Sequence, residues 1–256
     1  MGPLRNAYLD ALGIDRWVHR DAVPEIVAAR ESEPATAVVA KSAARAAPGA
    51  TPHAPWTPLP PTADWGVLRE RVAGCTACDL CKTRTQTVFG VGKRQAQWLV
   101  IGEAPGAEED RQGEPFVGRA GQLLNAMLLA IGLPRETVFI ANILKCRPPG
   151  NRDPAPAEVS RCLPYLSNQI ALLKPEIMLA VGRIAAQNLL ATDAPLARLR
   201  GKLHHFGEAN TPLVVTYHPA YLLRTPADKR KAWEDLKFAR ATHARLAGGG
   251  NAPGNG

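Results

Sequence analysis

The chain has 256 residues, enough for one substantial α/β domain or two small ones, and too many to need disulfide staples. With 46% hydrophobic and 21% charged residues it is not a wholly disordered chain, and no run approaches the roughly 18 uncharged apolar residues of a membrane span. The net charge of +8 is carried by residues 63–256, with 25 basic against 17 acidic side chains, and such a basic body suits a polyanionic partner such as nucleic acid.

The first residues contain no apolar signal core, so a cytoplasmic protein is expected. Residues 1–30 read as a short amino-terminal arm whose amphipathic segment, residues 7–20, presents Leu9, Leu12, Ile14 and Trp17. Residues 31–62 hold nine Ala and seven Pro, a composition that cannot bury enough apolar surface to offset chain entropy and reads as a flexible linker. The main domain is expected over residues 63–246, beginning near Asp64, and residues 247–256 read as a disordered Gly-rich tail.

Within the main domain four short apolar runs read as strands buried on both faces of a parallel sheet: Trp98–Gly102, Val138–Leu144, Ile177–Gly182 and Leu213–Tyr217. Helical patterns at 119–131, 156–173, 183–191 and 227–246 alternate with them. The alternation predicts a three-layer αβα sandwich around a mainly parallel four-stranded sheet. Ligands in such folds sit at the carboxyl ends of the strands, so function is sought in the residues that follow each one.

Five cysteines are present: Cys75, Cys78, Cys81, Cys146 and Cys162. A disulfide framework is not expected in a cytoplasmic chain of this size. Cys75-Thr-Ala-Cys78 lets two thiolates face one centre, and Cys146 and Cys162 supply a second pair. Spacing leaves structural zinc and a [4Fe–4S] cluster both open, and Cys81 competes as a ligand.

The strand ends carry the other motifs. Gly102-Glu-Ala-Pro-Gly106 makes a tight turn with free backbone N–H groups. In Pro115–Gly121, Phe116 is either a loop anchor or a stacking platform. Asn142 interrupts an apolar strand; it is either a satisfied core amide or an edge able to donate and accept to a nucleobase. Pro219 stops the last strand and projects His218 at the ligand edge.

Taken together, Gly102–Gly106, Pro115–Gly121, Asn142, the Cys146-Arg-Pro-Pro-Gly-Asn-Arg-Asp153 stretch and His218–Arg224 closely resemble the family 4 uracil-DNA glycosylases, over roughly residues 65–246. The resemblance implies a structural [4Fe–4S] cluster on Cys75, Cys78, Cys146 and Cys162, with Cys81 left over. It implies that uracil flipped out of DNA is read by Asn142, stacked on Phe116 and enclosed by the backbone of Gly102–Ala104 and by His218. It also implies hydrolysis of the N-glycosidic bond, releasing free uracil and leaving an abasic site. His218 is the candidate donor to the departing base. Related glycosylases hold the attacking water with an Asp where this chain has Ala104; Glu103, Asp110 and Asn151 are the available substitutes, with Glu103 favoured. The Pro148–Pro154 stretch lacks the histidine-bearing basic insertion of covalent uracil-trapping relatives, so turnover is expected. Leu222 or Leu223 is the expected wedge into the duplex, with Arg224 on a phosphate. Residues 7–20 are similar to the amino-terminal peptide of the clamp-loader psi subunit, which implies a replication partner. The protein is otherwise expected to be a monomer.

Overall fold

The computed structural model describes residue 60 and residues 62–248, all within the unit Gly49–Gly256. The expected arm, nearly all of the Ala/Pro-rich linker and the residues from 249 onward lie outside the described residues.

The first helix, α1 (Trp65–Ala73), starts where Asp64 accepts the Val67 N–H at 2.9 Å, an N-cap that satisfies one of the helix's orphan donors. Two strands follow, β1 (Val91–Gly92) and β2 (Trp98–Gly102), and then helices α2 (Ala107–Gln112) and α3 (Arg119–Ala130). Next come β3 (Phe139–Asn142), α4 (Pro156–Leu173), β4 (Ile177–Val181), α5 (Arg183–Leu189) and α6 (Leu196–Leu199). The chain closes with β5 (Leu203–Phe206), β6 (Thr211–Thr216), α7 (Pro219–Arg224) and α8 (Lys229–Gly248).

The sheet has six strands in the order β1-β3-β2-β4-β6-β5, two more than the sequence predicts. The inner strands β3, β2, β4 and β6 are parallel, with Gly102 beside Asn142 and Val181 beside Thr216 at their shared carboxyl end. The additional strands lie antiparallel along the edges, β1 on β3 and β5 on β6. Neither edge strand has the apolar run of a central one: β1 is two residues long, and Leu203-His-His-Phe206 is partly exposed along its length. β3 is shorter than the predicted Val138–Leu144 because the chain turns away after Asn142, although the Ile143 and Leu144 N–H groups still reach the Gly102 and Glu103 carbonyls at 2.9 and 3.0 Å. The last helix starts at Lys229 rather than 227, after a 3₁₀ turn over Pro226–Asp228.

Alternation along the strands builds a core on each sheet face. Leu99 and Ile101 of β2 join Leu68, Val72, Leu163 and Leu166, from α1 and α4, on one side. Trp98 and Val100 join Leu124 and Leu128 of α3 and Leu236 of α8 on the other. These layers cover both faces of the four parallel strands, and the chemistry-bearing residues lie along their carboxyl edge.

Candidate active site

A cavity of about 430 Å³ opens at this edge, lined among others by Glu103, Ala104, Phe116, Asn142, His218 and Arg224. Gly102, at the end of β2, sets how closely two of the lining side chains approach. A Cβ there would collide with Asn142 Oδ1 and come within 2.6 Å of the Phe116 ring, so only glycine lets these two side chains meet across the strand end.

Phe116 is buried and sits in the left-handed region, with φ 55°. A non-glycine residue adopts that conformation only when its surroundings impose it, and three groups do so here. Gly121 lets the Phe116 carbonyl pack directly on its backbone. Arg135 donates to the carbonyls of Pro115 at 2.6 Å and Phe116 at 3.3 Å. Glu109 accepts the Val117 and Gly118 N–H groups at 3.0 and 3.2 Å, and also that of Gly106 at 3.1 Å. One carboxylate thus ties the Gly102–Gly106 turn to the Phe116 loop. Sequence reading missed Glu109 and Arg135. Glu109 had a signal, since it is the third residue of a helix starting after Gly106, where a carboxylate closes a capping box.

Asn142 is 2% exposed, and its Oδ1 is buried without a hydrogen-bond partner. An orphaned buried acceptor costs about 1–3 kcal/mol, so it marks a position awaiting a donor. His218 faces Phe116 with ring centroids 5.7 Å apart. Its Nδ1 accepts the Ala220 N–H at 3.1 Å, capping α7, so in the neutral ring the proton resides on Nε2. Burial, then the positive charge of Arg224, hold its pKa down to about 4, against an opposing pull from Glu109. The imidazole is therefore neutral at physiological pH and is a hydrogen-bond donor. Burial and the neighbouring Asp153 carboxylate push Glu103 up to about 7, with Arg183 opposing. The pocket thus combines an aromatic face, an unmatched acceptor, a neutral N–H donor and a carboxyl poised near neutrality.

Two expected site residues fall elsewhere. Asp110 is 4% exposed and both its oxygens accept the Thr85 N–H at 3.0 Å, away from the cavity lining. One residue is a rotation of about 100° on a helix, so Glu109 and Asp110 point to different neighbours. Leu222 is 1% exposed and packs inward from α7, which rules it out as a wedge; Leu223 is the half-buried leucine of the pair. Arg224 is exposed at the cavity mouth. Asn151 lines the cavity, but its Oδ1 already accepts from Arg147 at 2.8 Å.

A second, narrow void is lined by Cys75, Cys78, Cys146 and Cys162 but not by Cys81. Arg84 donates to Cys146 Sγ at 3.0 Å, and the Lys145 N–H donates to Cys162 Sγ at 3.2 Å. Burial pushes the Cys162 thiol up to about 12 and also raises Cys78 and Cys146. Among the described residues, no three His, Cys, Asp or Glu side chains converge on a point suited to one metal ion.

Residues 89–237 match the family model for the uracil DNA glycosylase superfamily. The chain is 44% identical over 177 residues to a type-4 uracil-DNA glycosylase of Archaeoglobus fulgidus, covering 67% of this chain and 88% of that protein. It is 43% identical over 175 residues to the type-4 enzyme of Pyrobaculum aerophilum, covering 66% of this chain and 89% of the relative. A type-5 uracil-DNA glycosylase of the latter organism is 30% identical over 150 residues, covering 51% of this chain and 64% of that protein. The matched span contains every side chain named in the pocket, and the chain belongs to the uracil-DNA glycosylase superfamily, with the type-4 enzymes as its relatives.

Proposed function

We propose that this pocket receives uracil flipped from DNA and hydrolyses its bond to deoxyribose. The base stacks on Phe116, its N3–H donates to Asn142 Oδ1, and a carbonyl accepts from His218 Nε2. As the C1′–N1 bond breaks, its electron pair stays on the base. The neutral His218 N–H stabilises that negative charge at the pyrimidine carbonyl. Water adds to the oxocarbenium-like C1′, and its proton passes to the Glu103 carboxylate, which lines the cavity and has a basicity suited to neutral pH. Arg224 meets a phosphate, and Leu223 is the leucine placed to occupy the vacated stack. The observation that carries this reading is the buried, unpartnered Asn142 Oδ1 pressed between Gly102 and Phe116. Its test is release of free base from uracil, hypoxanthine and mismatched-thymine DNA, single- and double-stranded. Uracil release lost in Asn142→Ala, with DNA affinity retained, is the expected result; wild-type release from that variant would overturn it.

Cys75, Cys78, Cys146 and Cys162 fit a [4Fe–4S] cluster better than one zinc ion. They wall a void rather than converge on a point, and N–H donors already face two of the sulfurs. When bound, the cluster supplies iron–thiolate bonds that join the segment after α1 to the loop after β3. Brown protein with about four irons per chain, bleached by Cys162→Ser and not by Cys81→Ser, is expected; a colourless protein with one zinc refutes the assignment. Residues 7–20, outside the described residues, are proposed to bind a clamp-loader or other replication partner. Trp17→Ala should abolish that binding without altering turnover. The enzyme is proposed to act as a cytoplasmic monomer, checked by light scattering; no helix among the described residues is long and apolar enough to cross a membrane.

A further inference from the structure

Lys145 is 1% exposed and lies outside the lining of the base pocket. Its side chain reaches back three residues and donates from Nζ to the Asn142 carbonyl at 2.9 Å. It also donates to Gln169 Oε1 at 2.7 Å, on the buried side of α4. Gln169, fully buried, donates in turn from Nε2 to the Phe89 carbonyl at 2.8 Å. The Lys145 backbone is held as well: its N–H bonds Cys162 Sγ, and its carbonyl accepts the Val88 N–H at 2.8 Å.

Both hydrogen-bond acceptors of the amine are neutral, and the nearby Cys162 and Cys146 sulfurs offset only part of the solvation it loses, a loss that a methionine of similar length would not suffer. Packing alone therefore does not account for lysine here. What the amine does accomplish is specific. The strand ends at Asn142, and Lys145 closes the bend that follows into a ring anchored to α4 and to the segment before β1. Asn142 Oδ1 has no hydrogen-bond partner to fix it, so apart from its packing at Gly102 its placement depends on where the backbone puts it.

We infer that Lys145 is a positioning residue for base recognition, gripping the Asn142 carbonyl so that the Oδ1 of the same residue stays where a pyrimidine N–H requires it. The inference rests on the reading of Asn142 as the base reader. It makes the loop leading to the cysteine void part of the recognition apparatus, with Gln169 as its far anchor.

The full-length protein is compared with Lys145→Met, Gln169→Met and Asn142→Ala. Inhibition by free uracil, affinity for abasic-site DNA, iron content and single-turnover rate are measured for each. Lys145→Met should weaken uracil inhibition and slow single turnover by about 10- to 100-fold, the cost of a small misplacement, with abasic-DNA affinity held within about twofold. Wild-type uracil inhibition in a folded, iron-loaded Lys145→Met overturns the inference. If that variant loses iron or does not fold, Gln169→Met decides. It keeps the amine on Asn142 while freeing its other end, and should weaken uracil inhibition by several-fold; unchanged inhibition overturns the inference. Asn142→Ala separates the two ideas. If it too binds uracil normally, the base-reader assignment fails and takes the inference with it. If it loses uracil while the Lys145 and Gln169 variants do not, only the inference fails.

Discussion

Replacing His218 isolates the contribution of one hydrogen-bond donor to leaving-group departure. The ring is neutral because burial and Arg224 hold its pKa near 4, and the Ala220 N–H on Nδ1 directs the remaining proton through Nε2. Removing one such preorganised donor costs about 10²- to 10³-fold in rate, or roughly 3–4 kcal/mol of transition-state stabilisation. His218→Ala also deletes the cap of α7, at a cost of about 1 kcal/mol of stability. His218→Asn keeps an acceptor for the Ala220 N–H but is too short to reach the base. It should therefore recover most of the lost stability while staying slow. The assay is single-turnover release of uracil from end-labelled DNA, with affinity measured separately on an abasic-site duplex and expected to be unchanged. The wild-type pH–rate profile should show no limb near the ordinary histidine pKa that vanishes in His218→Asn. A wild-type rate in either variant would place the developing charge elsewhere and refute the reasoning.

Glu103 carries the opposite signature. If its carboxylate takes the proton from water, the rate rises through about pH 7 in the wild type and is flat and low in Glu103→Gln. Because its pKa is raised in the folded state, the stability it provides is full below the unfolded value of 4.5 and is lost as pH rises through about 7. Glu103→Gln should accordingly melt higher than wild type at pH 8, with the gap closing by pH 5. Asn142→Ala should abolish uracil release yet stabilise the free protein by about 1 kcal/mol, since it removes an orphaned acceptor; denaturant titration shows the sign. Leu222→Ala should cost about 2–5 kcal/mol of stability, as for a core leucine, leaving base extrusion on 2-aminopurine-labelled DNA unaffected. Gly121→Ala should cripple uracil release by displacing the Phe116 carbonyl, although the residue touches no substrate; stopped-flow fluorescence of the flipped base reads the loss.

The inner strands were legible because burial on both faces leaves no room for polar residues: Trp98–Gly102 and Ile177–Val181 read directly as continuous apolar runs. The edges were not. Leu203–Phe206 owes its conformation to the ladder it forms with β6, a partner that no local pattern reveals. The pocket followed the same division. Gly102, Asn142 and His218 stand at or just beyond the carboxyl ends of parallel strands, where topology dictates that ligands bind. Apart from the Gly106 N–H that Glu109 caps, Arg135 and Glu109 act through backbone groups 8 to 20 residues away, so those partners emerge only once the loops are folded. Asp110, named from the sequence, and its neighbour Glu109 are parted by helical rotation, which proximity in sequence does not convey.

The distribution of the four thiols around their void has a consequence for chain entropy. Cys75 and Cys78 lie before the segments that carry Gly102, Phe116 and Asn142, and Cys146 follows those segments. Everything from β1 through β3, including Gly102, Phe116 and Asn142, therefore lies inside the loop that a shared metal centre would close, whereas His218 lies outside it. Closing a loop of this length removes about 4 kcal/mol of freedom from the unfolded chain in the chain-entropy model. Metal loss would be felt unevenly: the wall that selects the base would loosen first, and the strand that bears the catalytic imidazole would stay anchored in the sheet.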